Sequence, residues 1–212
     1  MLQLKVFSFN PLQVNAYLIY EAGGSGILID PSCINQREFK ELQDFIGLHK
    51  IRLEYQLNTH GHFDHIFGTG MVKATYHPKY LIHQDDEGLL RLAADQARSF
   101  GFDFASDVAS PDGFLNESDI ISAGAIQLRV IHVPGHSQGC VAFYESSEGW
   151  LFSGDTLFAG GIGRTDLPGG NFDQIIASIR EKLLVLPDDT RVFPGHGPAT
   201  SIKREKENNP FL

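Results

Sequence analysis

The segment His60-Gly61-His62-Phe63-Asp64-His65 places three histidines and one aspartate in six positions, directly after the apolar run LEYQLN. Imidazole nitrogens and carboxylate oxygens are ligands for divalent metals, and one loop alone does not surround an ion. The fold must therefore bring other ligand-bearing loops to this one. Three more strand-like runs stop on a suitable residue: LRVIHVPG on His136, WLFSG on Asp155 and TRVFPG on His196. Two of these corners read Pro-Gly-His, at 134–136 and 194–196, which puts each imidazole on a tight turn at a strand end. Loops held by rigid strands are where binding residues commonly sit. Five histidines and two aspartates are too many for one catalytic zinc, which takes about three protein ligands. They suit two ions that share a carboxylate and a water, the arrangement of metal-assisted hydrolysis. A nitrogen and oxygen set without thiolate accepts zinc, iron or manganese.

The rest of the pattern predicts what carries these loops. LQLKVFSF, NAYLIYEA, GILID, LEYQLN and KYLIH read as strands in the first half, and IQLRVIHV, CVAFYES, GWLFSG and TRVFP in the second. Helices are expected over INQREFKELQDFIGLHK, from about His65 onward through HIFGTGMVKAT, over DDEGLLRLAADQARSFG, and over NFDQIIASIREKLLVL. The last has Asn171 as N-cap and an apolar face of Phe172, Ile175, Ile176, Ile179, Leu183 and Leu186. Short strands suggest mainly antiparallel pairing. Helices with one apolar face belong outside the sheets, so the economical fold is an α/β sandwich of two sheets with helices on the outer faces. Residues 85–118, helical and then loop-like through FDFASDVASPDGFLNESD, read as an insertion within one domain spanning 1–212.

Composition narrows the function classes. A net charge of −9 disfavours nucleic acid and anionic membrane as partners. No run is long and apolar enough to span a bilayer, and the start of the chain lacks the pattern of a signal peptide. Cys33 and Cys140 form no CxxC pair, so buried thiols in a reducing cytoplasm are expected. The sequence carries no indication of oligomeric state.

THGHFDH followed by PGHS, SGDT and PGHG resembles the metallo-β-lactamase fold superfamily, and the whole chain is similar to its glyoxalase II (hydroxyacylglutathione hydrolase) group. The resemblance extends to GDTLFAGGIGRTD at 154–166 and to PGHGPAT and ENNPFL near the end. It implies an αββα sandwich with two metal ions at one edge, zinc expected first. His60, His62 and His136 would bind the first ion, Asp64, His65 and His196 the second, and Asp155 both. True β-lactamases lack that bridge. The implied reaction is hydrolysis of a glutathione thioester by a hydroxide between the metals, with Asp64 orienting it. Arg164 stands where the group binds the glutathione part, although the tyrosine of the larger enzymes two residues on is Asp166 here. An Arg164–Asp166 pair that only stiffens the loop is the plain alternative. With Leu212 as its last residue, the chain is expected to be a short branch without the C-terminal helical domain that holds glutathione. A persulfide dioxygenase with one iron is the alternative activity, since such enzymes also carry the GRTD found at 163–166.

Overall fold

The computed structural model describes residues 1–103 and 107–212. The first sheet orders β1 (Gln3–Phe9), β2 (Val14–Tyr20), β3 (Ser25–Ile29), β4 (Arg52–Leu57), β5 (Lys79–His83) and β6 (Gly113–Leu115) side by side. The second contains β7 (Ile120–Ala123), β8 (Ile126–His132), β9 (Val141–Glu145), β10 (Trp150–Gly154), β13 (Arg191–Pro194) and β14 (Thr200–Ser201). A separate hairpin, β11 (Leu157–Phe158) with β12 (Gly161–Ile162), lies between β10 and β13 in the chain. The helices are α1 (Gln36–Leu48), α2 (Phe63–Ile66), α3 (Thr69–Tyr76), α4 (Glu87–Ser99), α5 (Phe172–Ser178) and α6 (Ile202–Asn208).

Side-chain alternation builds the layers. In β2, Tyr17 and Ile19 join the core between the sheets, while Ala16, Leu18 and Tyr20 face α1. In β9, Val141 and Phe143 point into the same central core, and Ala142 and Tyr144 face α5 and α6. Both strands are buried on both faces, which is why they read as continuous apolar runs rather than alternating ones. Each fully buried Leu, Ile or Phe contributes about 1.5–3 kcal/mol. Two helix-covered outer faces around a double-sheet core give the expected αββα sandwich.

The pairing is mixed, and this departs from the mainly antiparallel expectation in one respect. β3–β4, β4–β5, β5–β6 and β10–β13 are parallel. Each of these links passes through a helix, and parallel neighbours require such a crossover. Within 85–118, α4 packs with α2 through Phe63, Phe67, Leu90 and Ala93, and β6 extends the first sheet. The expected loop there is thus part strand, and its residues 104–106 lie outside the described residues. The strand β7 and the β11–β12 hairpin have no counterpart in the sequence expectations. Asn171 caps α5 as expected, accepting from the Gln174 N–H at 3.0 Å. The helix then loosens into a π-turn over Ile179–Leu183, and Phe172 is exposed rather than part of the apolar face. As the first residue after the cap, Phe172 projects beyond the sheet that Ile175, Ile179 and Leu183 cover.

Strand direction places the ligand loops. β4 and β5 run parallel to β3, so their C-terminal ends share one edge of the first sheet. β8 and β10 are both antiparallel to β9, and β13 is parallel to β10, so these three also end together. Asn15 and Tyr17 of β2 join the two edges: Asn15 Nδ2 and Tyr17 Oη each donate to Pro194 O.

Candidate metal centre

His60 and His62 follow β4, Asp64 and His65 sit on α2, and His136, Asp155 and His196 follow β8, β10 and β13. The structure brings all seven into one cluster. His60, His62 and His136 have ligand atoms within 4.8 Å of one another, as do Asp64, His65 and His196, and also His60, His65 and Asp155. Asp155 lies between the groups: its Oδ1 is 3.4 Å from His65 Nε2, and its Oδ2 is 3.5 Å from His196 Nε2 and 3.8 Å from His136 Nε2. Asp64 Oδ2 is 3.4 Å from His196 Nε2. His62 Nδ1 lies 2.8 Å from His136 Nε2.

Each of four imidazoles uses its outer nitrogen in a fixed hydrogen bond. His136 Nδ1–H donates to Arg164 O at 2.8 Å and His196 Nδ1–H to Leu12 O at 3.0 Å. His65 Nδ1–H donates to Asp30 Oδ2 at 3.0 Å. His60 Nδ1–H donates to Thr59 Oγ1, whose hydroxyl donates to the same Asp30 Oδ2. Bonding at the outer nitrogen aims the inner one at the centre, the usual support of a metal-ligating histidine. Burial, with neighbouring imidazoles adding to it, holds His60 well below the ordinary histidine pKa. Burial likewise takes His62 down to about 3, so both stay neutral and able to ligate. Burial opposes charge on His65, but Asp155, Asp64 and Asp30 outweigh it and raise its pKa. Burial would raise the pKa of Asp155 too, yet His65 and its neighbours hold it well below the carboxylate range.

These residues fit metal ions. His60 Nε2, His62 Nε2, His65 Nε2 and Asp155 Oδ1 are buried and have no hydrogen-bond partner. Buried polar atoms in folded proteins are otherwise almost always paired. Three of these, His60 Nε2, His65 Nε2 and Asp155 Oδ1, converge within one cluster and mark room for cations, whereas His62 turns its Nδ1 toward the centre. The corners are shaped to match. A Cβ at Gly195 would strike Asp155 Oδ1 and His65 Cε1, and Gly135 adopts φ +136° against α5.

Two supporting carboxylates escaped the sequence reading. Asp30, at the end of β3, accepts from the Thr59 N–H at 2.8 Å and from Asn58 Nδ2 as well as from His65. It closes GILID as Asp155 closes WLFSG, so the same strand-end pattern could have marked it. Asp86 is buried and bonds three donors: Gly61 N–H at 2.8 Å, Ser137 Oγ–H at 2.7 Å and Gly139 N–H at 2.8 Å. It ties the loop of His60 and His62 to the loop of His136. In sequence it is indistinguishable from the acidic first turn of a helix.

The centre opens into a cleft of about 500 Å³. His62, Asp64, His136, Asp155 and His196 reach it, and Leu12, Phe63, Phe100, Phe158, Ile162 and Leu167 line its walls. Arg164 stands at the cleft as expected, but its Nε and Nη2 donate to Asp166 Oδ1 and Oδ2, both at 2.7 Å. That pairing lowers Asp166 to about 2. The cysteines are both buried, and Cys140 contacts Ser137 Oγ at 3.0 Å.

A four-layer α/β fold with a histidine–aspartate cluster at the shared strand ends defines a class of metal-binding hydrolase scaffold. A family profile for the metallo-beta-lactamase superfamily matches residues 9–196, and the chain belongs to that superfamily. It is 33% identical to the hydroxyacylglutathione hydrolase GloC of Haemophilus influenzae, over all of this chain and 98% of that one. Among solved structures, it superposes on the BLEG-1 B3 metallo-beta-lactamase with a TM-score of 0.88 and 34% identity, covering 99% of both chains. It superposes on TTHA1623, solved in a di-iron-bound form, with a TM-score of 0.87 and 36% identity, covering 98% of this chain and 100% of that one. No helix among the described residues is long and apolar enough to cross a membrane.

Proposed function

We propose that the protein is a dinuclear metal-dependent thioester hydrolase of the hydroxyacylglutathione hydrolase type. The observation that carries this is the convergence of unpaired buried ligand atoms into two groups that meet at Asp155. His60, His62 and His136 would hold one ion, Asp64, His65 and His196 the other, and Asp155 both. Zinc is the expected metal, and iron is compatible with the same ligands, as the di-iron form of TTHA1623 illustrates for that protein. Such ions, when bound, supply a hydroxide nucleophile near neutral pH and polarise the carbonyl under attack.

The chain's own residues do the rest. Asp64 faces the cleft, and on this reading its carboxylate would orient the attacking water. Hydrogen bonds from His136 and His196 to main-chain carbonyls keep their inner nitrogens aimed at the centre. The apolar walls exclude bulk water from the reacting carbonyl. Water adds to the acyl carbon, the C–S bond breaks, and carboxylate, thiol and a proton leave. A thiol has a pKa near 8.5, so its departure as thiolate needs no dedicated acid.

The test combines elemental analysis with a paired assay. Two metals per chain and release of thiol from S-D-lactoylglutathione are expected. One iron per chain, no thioester hydrolysis and oxygen consumption with glutathione persulfide would replace this reading with the dioxygenase. Hydrolysis of a β-lactam in preference to any thioester would replace it with a lactamase.

A further inference from the structure

The cleft carries a chemical preference of its own. Phe63 lies between two candidate ligands in sequence, and its ring stacks on Phe100 with centroids 5.3 Å apart. Phe100, just after α4, is 43% exposed. A partly exposed phenylalanine facing a concave site is apolar surface waiting to be covered. Phe158 and Ile162 of the β11–β12 hairpin and Leu167 of the loop that follows also line the cleft. Phe158 meets His196 edge-on at 6.4 Å, so this wall also reaches the metal ligands.

The polar side chains of the walls are partly engaged. Gln96 Oε1 accepts the Phe63 N–H at 3.0 Å. Arg164, the one cation lining the cleft among the described residues, has its fork closed on Asp166. Glutathione carries two carboxylates and an ammonium group. Desolvating these without counter-charges is costly, whereas an apolar group gains by entering such a space.

We propose that the substrate is recognised through an uncharged apolar acyl group packed among Phe63, Phe100, Phe158, Ile162 and Leu167, with no charged glutathione moiety required. This rests on the thioester reading and narrows it. Phe100 and Phe158 are then specificity-determining residues, and the glutathione half, where present, lies at the open rim.

A set of four thioesters tests it on the metal-loaded protein: D-lactoyl and phenylacetyl groups, each on glutathione and on N-acetylcysteamine. Phenylacetyl should exceed D-lactoyl in kcat/KM by about ten-fold or more on either thiol, the scale of one well-filled apolar pocket. Exchange of glutathione for N-acetylcysteamine should change kcat/KM by less than about three-fold on that scale. Phe100→Ala should shrink the acyl preference, and Phe100→Leu should keep most of it. A ten-fold advantage of glutathione over N-acetylcysteamine with both acyl groups overturns the proposal, as does an acyl preference unchanged in Phe100→Ala. If no thioester is cleaved, the hydrolase reading fails separately. Calorimetric titration then decides the cleft itself: tighter binding of 4-phenylbutyrate than of D-lactate sustains the apolar site, and equal affinity removes it.

Discussion

Replacing Asp86 by asparagine should loosen the first three-histidine group without removing a ligand. The carboxylate accepts three buried hydrogen bonds, two at Oδ2 and one at Oδ1. An amide of the same shape keeps one oxygen and turns an NH₂ toward the donors that faced the other. In either orientation one buried backbone N–H loses its acceptor, at about 1–3 kcal/mol. Bonds that survive become neutral, falling from about 1.5–3 to about 0.5–1.5 kcal/mol each. The total is about 3–5 kcal/mol. For a chain of this length each kcal/mol lowers Tm by about 2–4 °C, so metal-free Asp86→Asn should melt roughly 10 °C below the parent. The metal readout is separate. Removing such support typically costs 10–100-fold in affinity. One of the two ions should therefore pass to a competing chelator at 10–100-fold lower chelator concentration than in the parent. A Tm within about 3 °C of the parent, together with unchanged resistance of both ions to chelator, would refute the role assigned to Asp86.

Other expectations follow from the same geometry. Asp155→Ala should reduce bound metal below two per chain and lower kcat by at least about 10²-fold, because its oxygens lie between both groups; full occupancy with normal turnover would count against the bridge. Asp30→Asn should weaken the ion held by His65 about 10–100-fold while leaving retention of the other less affected, as chelator titration would reveal. Arg164→Ala should change KM for S-D-lactoylglutathione by less than about three-fold, since the guanidinium is engaged with Asp166; a ten-fold rise would show that it reaches the substrate. Phe143→Ala, in the core between the sheets, should cost about 3–5 kcal/mol in denaturant unfolding.

The seven candidate ligands were legible because four strand-like runs lead into them, four from the loop after one run and one after each of the other three, and strand ends in a sandwich of this kind collect at an edge. Asp30 and Asp86 were harder. Their partners are mostly backbone N–H groups and side chains far off in sequence, and no residue pattern announces an acceptor for Gly61 or Gly139. The parallel pairs were implied by the helices between β3, β4 and β5, a clue outweighed by the shortness of the strands. Phe172 shows a different gap: periodicity assigns a face, but the length of that face is set by the sheet it covers. Arg164 lines the cleft. Only the three-dimensional loop shows its fork closed on a residue two positions away.

The carbonyls that hold His136 and His196 belong to Arg164 and Leu12, two residues whose side chains also line the cleft. A point mutation can exchange either side chain, yet every amino acid supplies the same carbonyl. The wall of the cleft and the props that orient the imidazoles therefore occupy the same residues but answer to different atoms. Libraries randomised at positions 12 and 164 should accordingly return variants that keep parental metal content whatever side chain they carry there.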